Sequence, residues 1–160
     1  MATLTHAKTV LSYLRDRNET VSVAESLTAG GLGHAITQIP GASEVFLGGV
    51  ITYSPDSKVN FLDVNPKTIE EFTIVSEEVA IEMAEGARKK FGSTWAIATT
   101  GIAGPGDYMG IPEGSVWIAI RGPINQTLQL QLDSGREAIR TGAISSAIGT
   151  FARILSYRTA

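Results

Sequence analysis

A serine, a lysine and the short segments that carry them are where this chain can do chemistry. Ser26 lies in AESLTAGG, Lys58 closes TYSPDSK, and a third polar segment reads TTGIAGP at 99–105. Each follows a run with strand character. In open α/β sheets, ligands bind outside the carboxyl ends of the strands. If the three strands are parallel, Ser26, Tyr53, Lys58, Thr100 and Gly101 converge. That supplies a hydroxyl nucleophile, an amine base and backbone donors. A strand that stops at Ser26 and turns through small residues into a helix lifts the serine Oγ out of the sheet. It also presents helix-start N–H groups, near Thr28, Ala29 and Gly30, to an oxyanion or a phosphate. The ordinary readings differ: a serine at such a turn usually only caps the helix, and a lysine after Ser-Pro-Asp-Ser is usually solvated. The two histidines are His6, in an exposed helix start, and His34, on the helix after the turn. A triad would need an orienting partner as well, so Lys58 is the better base for Ser26.

Arg136 and Arg140 form a second candidate. Asp133-Ser134-Gly135-Arg136-Glu137 reads as a capping box with Ser134 as N-cap and Glu137 at N3. That puts Arg136 in the first turn of a helix and Arg140 one turn on, on the same face. A cation at a helix N-terminus opposes the dipole, and a bound anion would reverse that cost. The competing reading is an ion pair with a neighbouring carboxylate. Gly30-Gly31-Leu32-Gly33 is not a dinucleotide fingerprint, because a third glycine and the acidic residue after a second strand are missing. No metal-ligand constellation is legible, so neither metal nor cofactor is expected.

These residues must be positioned by alternating helices and strands. A helix is expected over 5–17 from the stripe Val10, Leu11, Leu14, a strand at 21–23, and a helix from the glycines to Thr37. FLGGVITY (46–53) reads as a strand whose paired glycines allow a bulge or close backbone approach. Ser54 to Lys58 is a turn or a helix start. Asn65-Pro66 and Ser76 are N-caps, and the helix behind Ser76 ends in Arg88-Lys89-Lys90 and Gly92. Strands at 94–100, 115–120 and 127–132 follow, the last two a hairpin with its final strand antiparallel at an edge, and a helix closes the chain over 135–156. The expected fold is a three-layer α/β/α sandwich with a mixed, mostly parallel sheet of about five strands.

The chain has 160 residues, a length that fits one domain. Its net charge is -3, which gives no basic footprint for nucleic acid. The absence of cysteine excludes disulfides, thiolate metal sites and a cysteine nucleophile. No apolar run is long enough to span a membrane and no signal peptide is visible, so a cytoplasmic protein is expected.

AESLTAG, GGVITYSPDSK, VSEEVA, TTGIAGP, GSVWIAI and SGREAIR occur in this order over about Val21 to Ile148. Together they resemble the C-terminal domain of the competence/damage-inducible CinA family, whose stand-alone form is nicotinamide mononucleotide deamidase. The resemblance implies hydrolysis of the nicotinamide carboxamide to nicotinic acid mononucleotide and ammonia. It implies Ser26 and Lys58 as the dyad, with Tyr53 beside them, and a pyridine mononucleotide held by Thr28, Ala29, Gly30, Thr100, Gly101, Gly104, Arg136 and Arg140. A homo-oligomer, most simply a dimer, is the expected state. Ala29 stands where the family usually has glycine, and Ile111 stands where its Lys-Pro-Val-Gly run has lysine. The altered loop leaves a second class of function open, a non-catalytic nucleotide-binding or interaction domain of the same fold.

Overall fold

The computed structural model describes residues 1–133 and 135–158. Its centre is a sheet of five strands. These are β1 (Val21–Glu25), β2 (Phe46–Ile51), β3 (Trp95–Gly101), β4 (Ser115–Arg121) and β5 (Gln126–Gln131), in the order β2-β1-β3-β4-β5. β1 pairs in parallel with β2 and β3, and β4 pairs antiparallel with β3 and β5. All strands but β4 therefore run one way. β5 is the antiparallel edge expected from its alternation.

Side-chain size on the two faces decides how the helices pack. On one face β1 contributes Val21 and Val23, β3 Trp95 and Ile97, and β4 Val116, Ile118 and Ile120. These large side chains pack against α1 (Ala2–Asp16), α2 (Gly31–Thr37) and α6 (Gly135–Tyr157). The Trp95 and Phe151 rings meet edge to face there, 5.3 Å between centroids. The other face is alanine: Ala24, Ala96, Ala98 and Ala119. It lets α5 (Glu77–Phe91) lie close on the sheet through its own Ala80, Ala84 and Ala87. α3 (Pro55–Leu62) then packs on α5 at Gly86, where any Cβ would overlap the Leu62 carbonyl oxygen. α4 (Pro66–Phe72) completes this layer against α5.

The terminus signals read from the sequence are realised for α5. The Ser76 side chain accepts from the Val79 N–H, and Gly92 closes the helix at φ 63°. Asn65 caps α4 ahead of Pro66. The glycine pair in β2 marks a bulge, because the register shifts between Val21↔Phe46 and Ser22↔Gly48. α1 begins at Ala2, earlier than its apolar stripe suggested. The Ser134 N-cap lies outside the described residues. No described helix is long and apolar enough to cross a membrane.

The topology puts the functional segments at one edge. β1, β2 and β3 all end there, β4 begins there, and β5 returns there to start α6. β1 has β2 on one side and β3 on the other, with α2 on one face of the sheet and α5 on the opposite face. The residue that follows β1 thus sits at a switch point, the position where open α/β sheets leave a crevice.

Candidate active site

Ser26 is that residue. Its N–H continues the β3 ladder by donating to the Thr99 carbonyl at 3.0 Å, which fixes the backbone beneath the hydroxyl. Lys58 reaches it from α3. The segment Ser54-Pro55-Asp56-Ser57 resolves as a helix start: Ser54 is the N-cap, Pro55 takes the first position, and the Ser54 and Ser57 side chains form a reciprocal capping box. One residue later Lys58 points inward and is 0% exposed. Its Nζ donates to Ser26 Oγ at 3.0 Å and to the Thr52 carbonyl at 2.6 Å. The solvated reading of this lysine is overturned, because α3 packs on α5 and turns its first helical turn toward the sheet.

Among the described residues no carboxylate pairs with Lys58. Burial alone lowers its pKa from 10.5 to about 8. Roughly a tenth of the amine is then neutral at pH 7, against well under a thousandth for a free lysine. A neutral amine 3.0 Å from a serine hydroxyl can take its proton.

The helix start beyond Ser26 does not work as the sequence suggested. Glu25, the last residue of β1, is 1% exposed and turns its carboxylate into the first turn of α2. It accepts from the N–H groups of Gly30 (3.1 Å), Leu32 (2.9 Å) and Gly33 (2.9 Å). The Ala29 N–H is taken by the Ser26 carbonyl. The helix dipole already holds its anion, so Ala29 and Gly30 are not free to hold another. The free donors lie earlier. Among the described residues, the N–H groups of Leu27 and Thr28 donate to no protein acceptor, although both residues are buried. Unpaired N–H groups in buried residues are rare and point to a ligand. A glutamate directly before a glycine-rich helix start was the sequence signal for this cap. Replacing Glu25 with Ala strands one buried and two half-buried donors, and a chemical-denaturation midpoint should show a loss of about 2 kcal/mol or more. Glu25→Gln, which keeps one acceptor oxygen, should lose less.

The two arginines separate. Arg136 reaches over the site: one amino group donates to the Gly104 carbonyl at 2.6 Å and the other to the Tyr53 hydroxyl at 3.0 Å. Arg140 turns into the wall, donating to the Leu27 carbonyl at 3.0 Å and the Thr28 carbonyl at 3.2 Å. The expected pair on one ligand is therefore not assembled. The carbonyls of the Ser26 turn compete successfully for the second guanidinium. A trans peptide points its N–H opposite to its C=O, so Arg140 also fixes the direction of the free Thr28 N–H. If that N–H receives an oxyanion during turnover, Arg140→Ala should lower kcat about tenfold or more with a smaller change in KM, through loss of that orientation. Arg140→Lys should not restore it, because an ammonium cannot span two carbonyls as the fork does.

Tyr53 lines the site, but its hydroxyl is held by Arg136 and makes no hydrogen bond to Ser26 or Lys58. Thr100 lines it too, with its hydroxyl donating to the Ile74 carbonyl. Thr28 is tied by its hydroxyl to Thr99 at 2.8 Å. Gly101 and Gly104 line, together with Ser26, a pocket of about 340 Å³. At Gly104, φ 80°, a side chain would run into the Glu113 carboxylate. No group of three or more potential metal ligands exists among the described residues.

The profile of the CinA C-terminal domain matches residues 3–155. The chain belongs to that family. A CinA-like protein of Synechococcus sp. (strain RCC307) is 51% identical over 118 residues, covering 73% of this chain and 28% of the relative. One from Prochlorococcus marinus (strain MIT 9313) is 42% identical over 93% of this chain and 36% of its own length. The chain thus spans about a third of the length of these CinA-like relatives. The crystal structure of competence/damage inducible protein CihA from Agrobacterium tumefaciens superposes with a TM-score of 0.92 at 31% identity, covering 98% of this chain and 96% of that one. Competence damage-inducible protein A from Klebsiella pneumoniae gives 0.94 at 28% identity, over 98% and 99% of the two chains. The three-layer α/β fold with its mixed sheet is therefore that of CinA C-terminal domains.

Proposed function

We propose that this CinA domain is an amidohydrolase that removes ammonia from the carboxamide of a pyridine nucleotide such as nicotinamide mononucleotide. The observation that carries the reading is the contact between Ser26 Oγ and a fully buried Lys58 that has no carboxylate partner among the described residues. A domain that only bound nucleotide would have no use for it. An unpaired ammonium in the interior destabilises the fold, whereas a lysine that can lose its proton there is an activated base.

In this mechanism Lys58 takes the Ser26 proton as Oγ attacks the carboxamide carbon. The oxyanion is received by the free N–H groups of Leu27 and Thr28. Lys58 returns the proton to the leaving nitrogen, and ammonia departs from the acyl-enzyme. Water, deprotonated by Lys58, cleaves the ester and yields the acid. Tyr53 and Arg136 stand at the mouth, where they contact substrate beyond the reacting amide. The purified chain should release ammonia and nicotinic acid mononucleotide in equal amounts from nicotinamide mononucleotide. Folded protein that releases ammonia from no pyridine carboxamide would refute the assignment.

A further inference from the structure

We infer that Thr99, on β3, is a positioning residue for the Ser26 turn and acts through the hydroxyl of Thr28; this rests on the amidohydrolase reading. β3 presents Trp95, Ile97 and Thr99 in alternation to the sheet face that carries α2 and α6. Trp95 and Ile97 belong to the apolar core, and packing alone would ask for another apolar side chain at the next position. Thr99 instead places a hydroxyl there and is 0% exposed. Its Oγ1 shares a 2.8 Å hydrogen bond with Oγ1 of Thr28, which is buried to the same degree. The Thr99 carbonyl accepts from the Ser26 N–H at 3.0 Å. One residue of the sheet thus holds both ends of the turn from Ser26 to Thr28, which carries the nucleophile and the two free N–H groups.

The turn needs that hold. Ala29 follows it at φ 48°, a left-handed conformation that strains any residue with a Cβ. Such a conformation persists only where the surroundings over-determine it. Arg140 fixes the Leu27 and Thr28 carbonyls from α6, and Glu25 fixes the N–H groups beyond Ala29. Neither contact ties Thr28 to the sheet; the hydroxyl pair does. The bond is also shorter than any packing contact that could replace it. Two carbons rest about 3.5–4.0 Å apart, so an apolar pair would push Thr28 roughly 1 Å away from β3. A displacement of that size at a reacting centre can cost on the order of a hundredfold in rate.

A second hydroxyl pair supplies an internal control. Ser22 and Ser93 are both buried and their Oγ atoms lie 2.7 Å apart. That pair sits where β1 begins and just ahead of β3, at the end of these strands away from Ser26. It braces the same two strands and touches nothing in the site.

The test is steady-state ammonia release from nicotinamide mononucleotide, with a denaturation curve for each variant. Thr99→Val and Thr28→Val should each lower kcat at least about tenfold, with KM within about threefold of wild type. The pH midpoint of kcat/KM should stay where it is, because Lys58 keeps its contacts. Each single variant also strands one buried hydroxyl and should lose stability. The double variant removes both hydroxyls, so its stability should return toward wild type. Its kcat should stay within about threefold of the single variants, because the bond is already gone. Thr99→Ser keeps the hydroxyl and should retain at least about a third of wild-type kcat. Ser22→Ala should lose stability and leave kcat unchanged. A double variant that recovered kcat together with stability would make the pair a brace of the fold alone and overturn the inference. Thr99→Val turnover within about threefold of wild type would overturn it too, as would a shifted pH midpoint, which would place the effect on Lys58. In each of these cases the wild type still releases ammonia, and the amidohydrolase reading stands. Wild type that releases ammonia from no pyridine carboxamide would refute that reading, and the positioning role would fall with it.

Discussion

Ser26→Ala should lower ammonia release by about a thousandfold or more while the protein stays folded. The loss is large because the reaction has no other path of comparable rate in this pocket. Without Oγ, water must attack the amide directly, and only the oxyanion donors remain to help. The fold should barely respond. The variant gives up one hydrogen bond, from Lys58 Nζ, worth about 1 kcal/mol, and Nζ keeps the Thr52 carbonyl as acceptor. The melting temperature should then move by roughly 2–4 °C. A variant that retained a tenth of wild-type turnover would remove Ser26 from the role of nucleophile.

Lys58 carries the second large effect, which has a kinetic and a thermodynamic side. kcat/KM should rise with pH to a plateau, with an apparent pKa near 8, because only the neutral amine accepts the serine proton. Lys58→Arg should be inactive across that range, since guanidinium does not deprotonate. The same burial acts on stability. In the unfolded chain the lysine titrates at about 10.4 and holds its proton more tightly than in the fold. Between about 8 and 10.4 the unfolded state binds more protons, so stability rises with pH across that window. Below pH 8 the penalty is fully present and amounts to about 3 kcal/mol, from roughly two and a half pKa units at 1.36 kcal/mol each. Lys58→Met removes the charge and keeps the bulk. Denaturation of wild type and variant at several pH values should show the variant gaining most, relative to wild type, at neutral pH. The difference should narrow by up to about 3 kcal/mol as pH rises past 10. A pH-independent difference would mean that Lys58 is not strained by burial, and the activated base would go with it.

Much of this was legible along the chain because the signals are local. The α5 helix carries its N-cap, its apolar stripe, its basic last turn and its closing glycine within its own residues. The alternation of β5 showed its half-buried face, and the order of strands and helices implied the layers. Two features of the site were not legible, for a common reason. Lys58 sits in a segment whose chemistry is that of a turn, and its burial comes from α3 meeting α5 at Gly86. Arg140 shares a helix face with Arg136, yet its partners are carbonyls at Leu27 and Thr28, more than a hundred residues away. Helical spacing places two side chains side by side but does not state what competes for each. Glu25 is different, since its three partners lie within eight residues. A carboxylate before a helix start is a signal that can be read from sequence, and it decides whether that start is open to an anion.

The most direct measurement is a single turnover of excess enzyme on nicotinamide mononucleotide, quenched in acid during ammonia release and digested for mass spectrometry. The account expects the peptide containing Ser26 to carry the acyl group of the nucleotide, in step with the ammonia already released and ahead of free acid product. Ammonia and acid appearing together, with Ser26 unmodified at every time, would show that water attacks the amide directly and would contradict the Ser26–Lys58 mechanism.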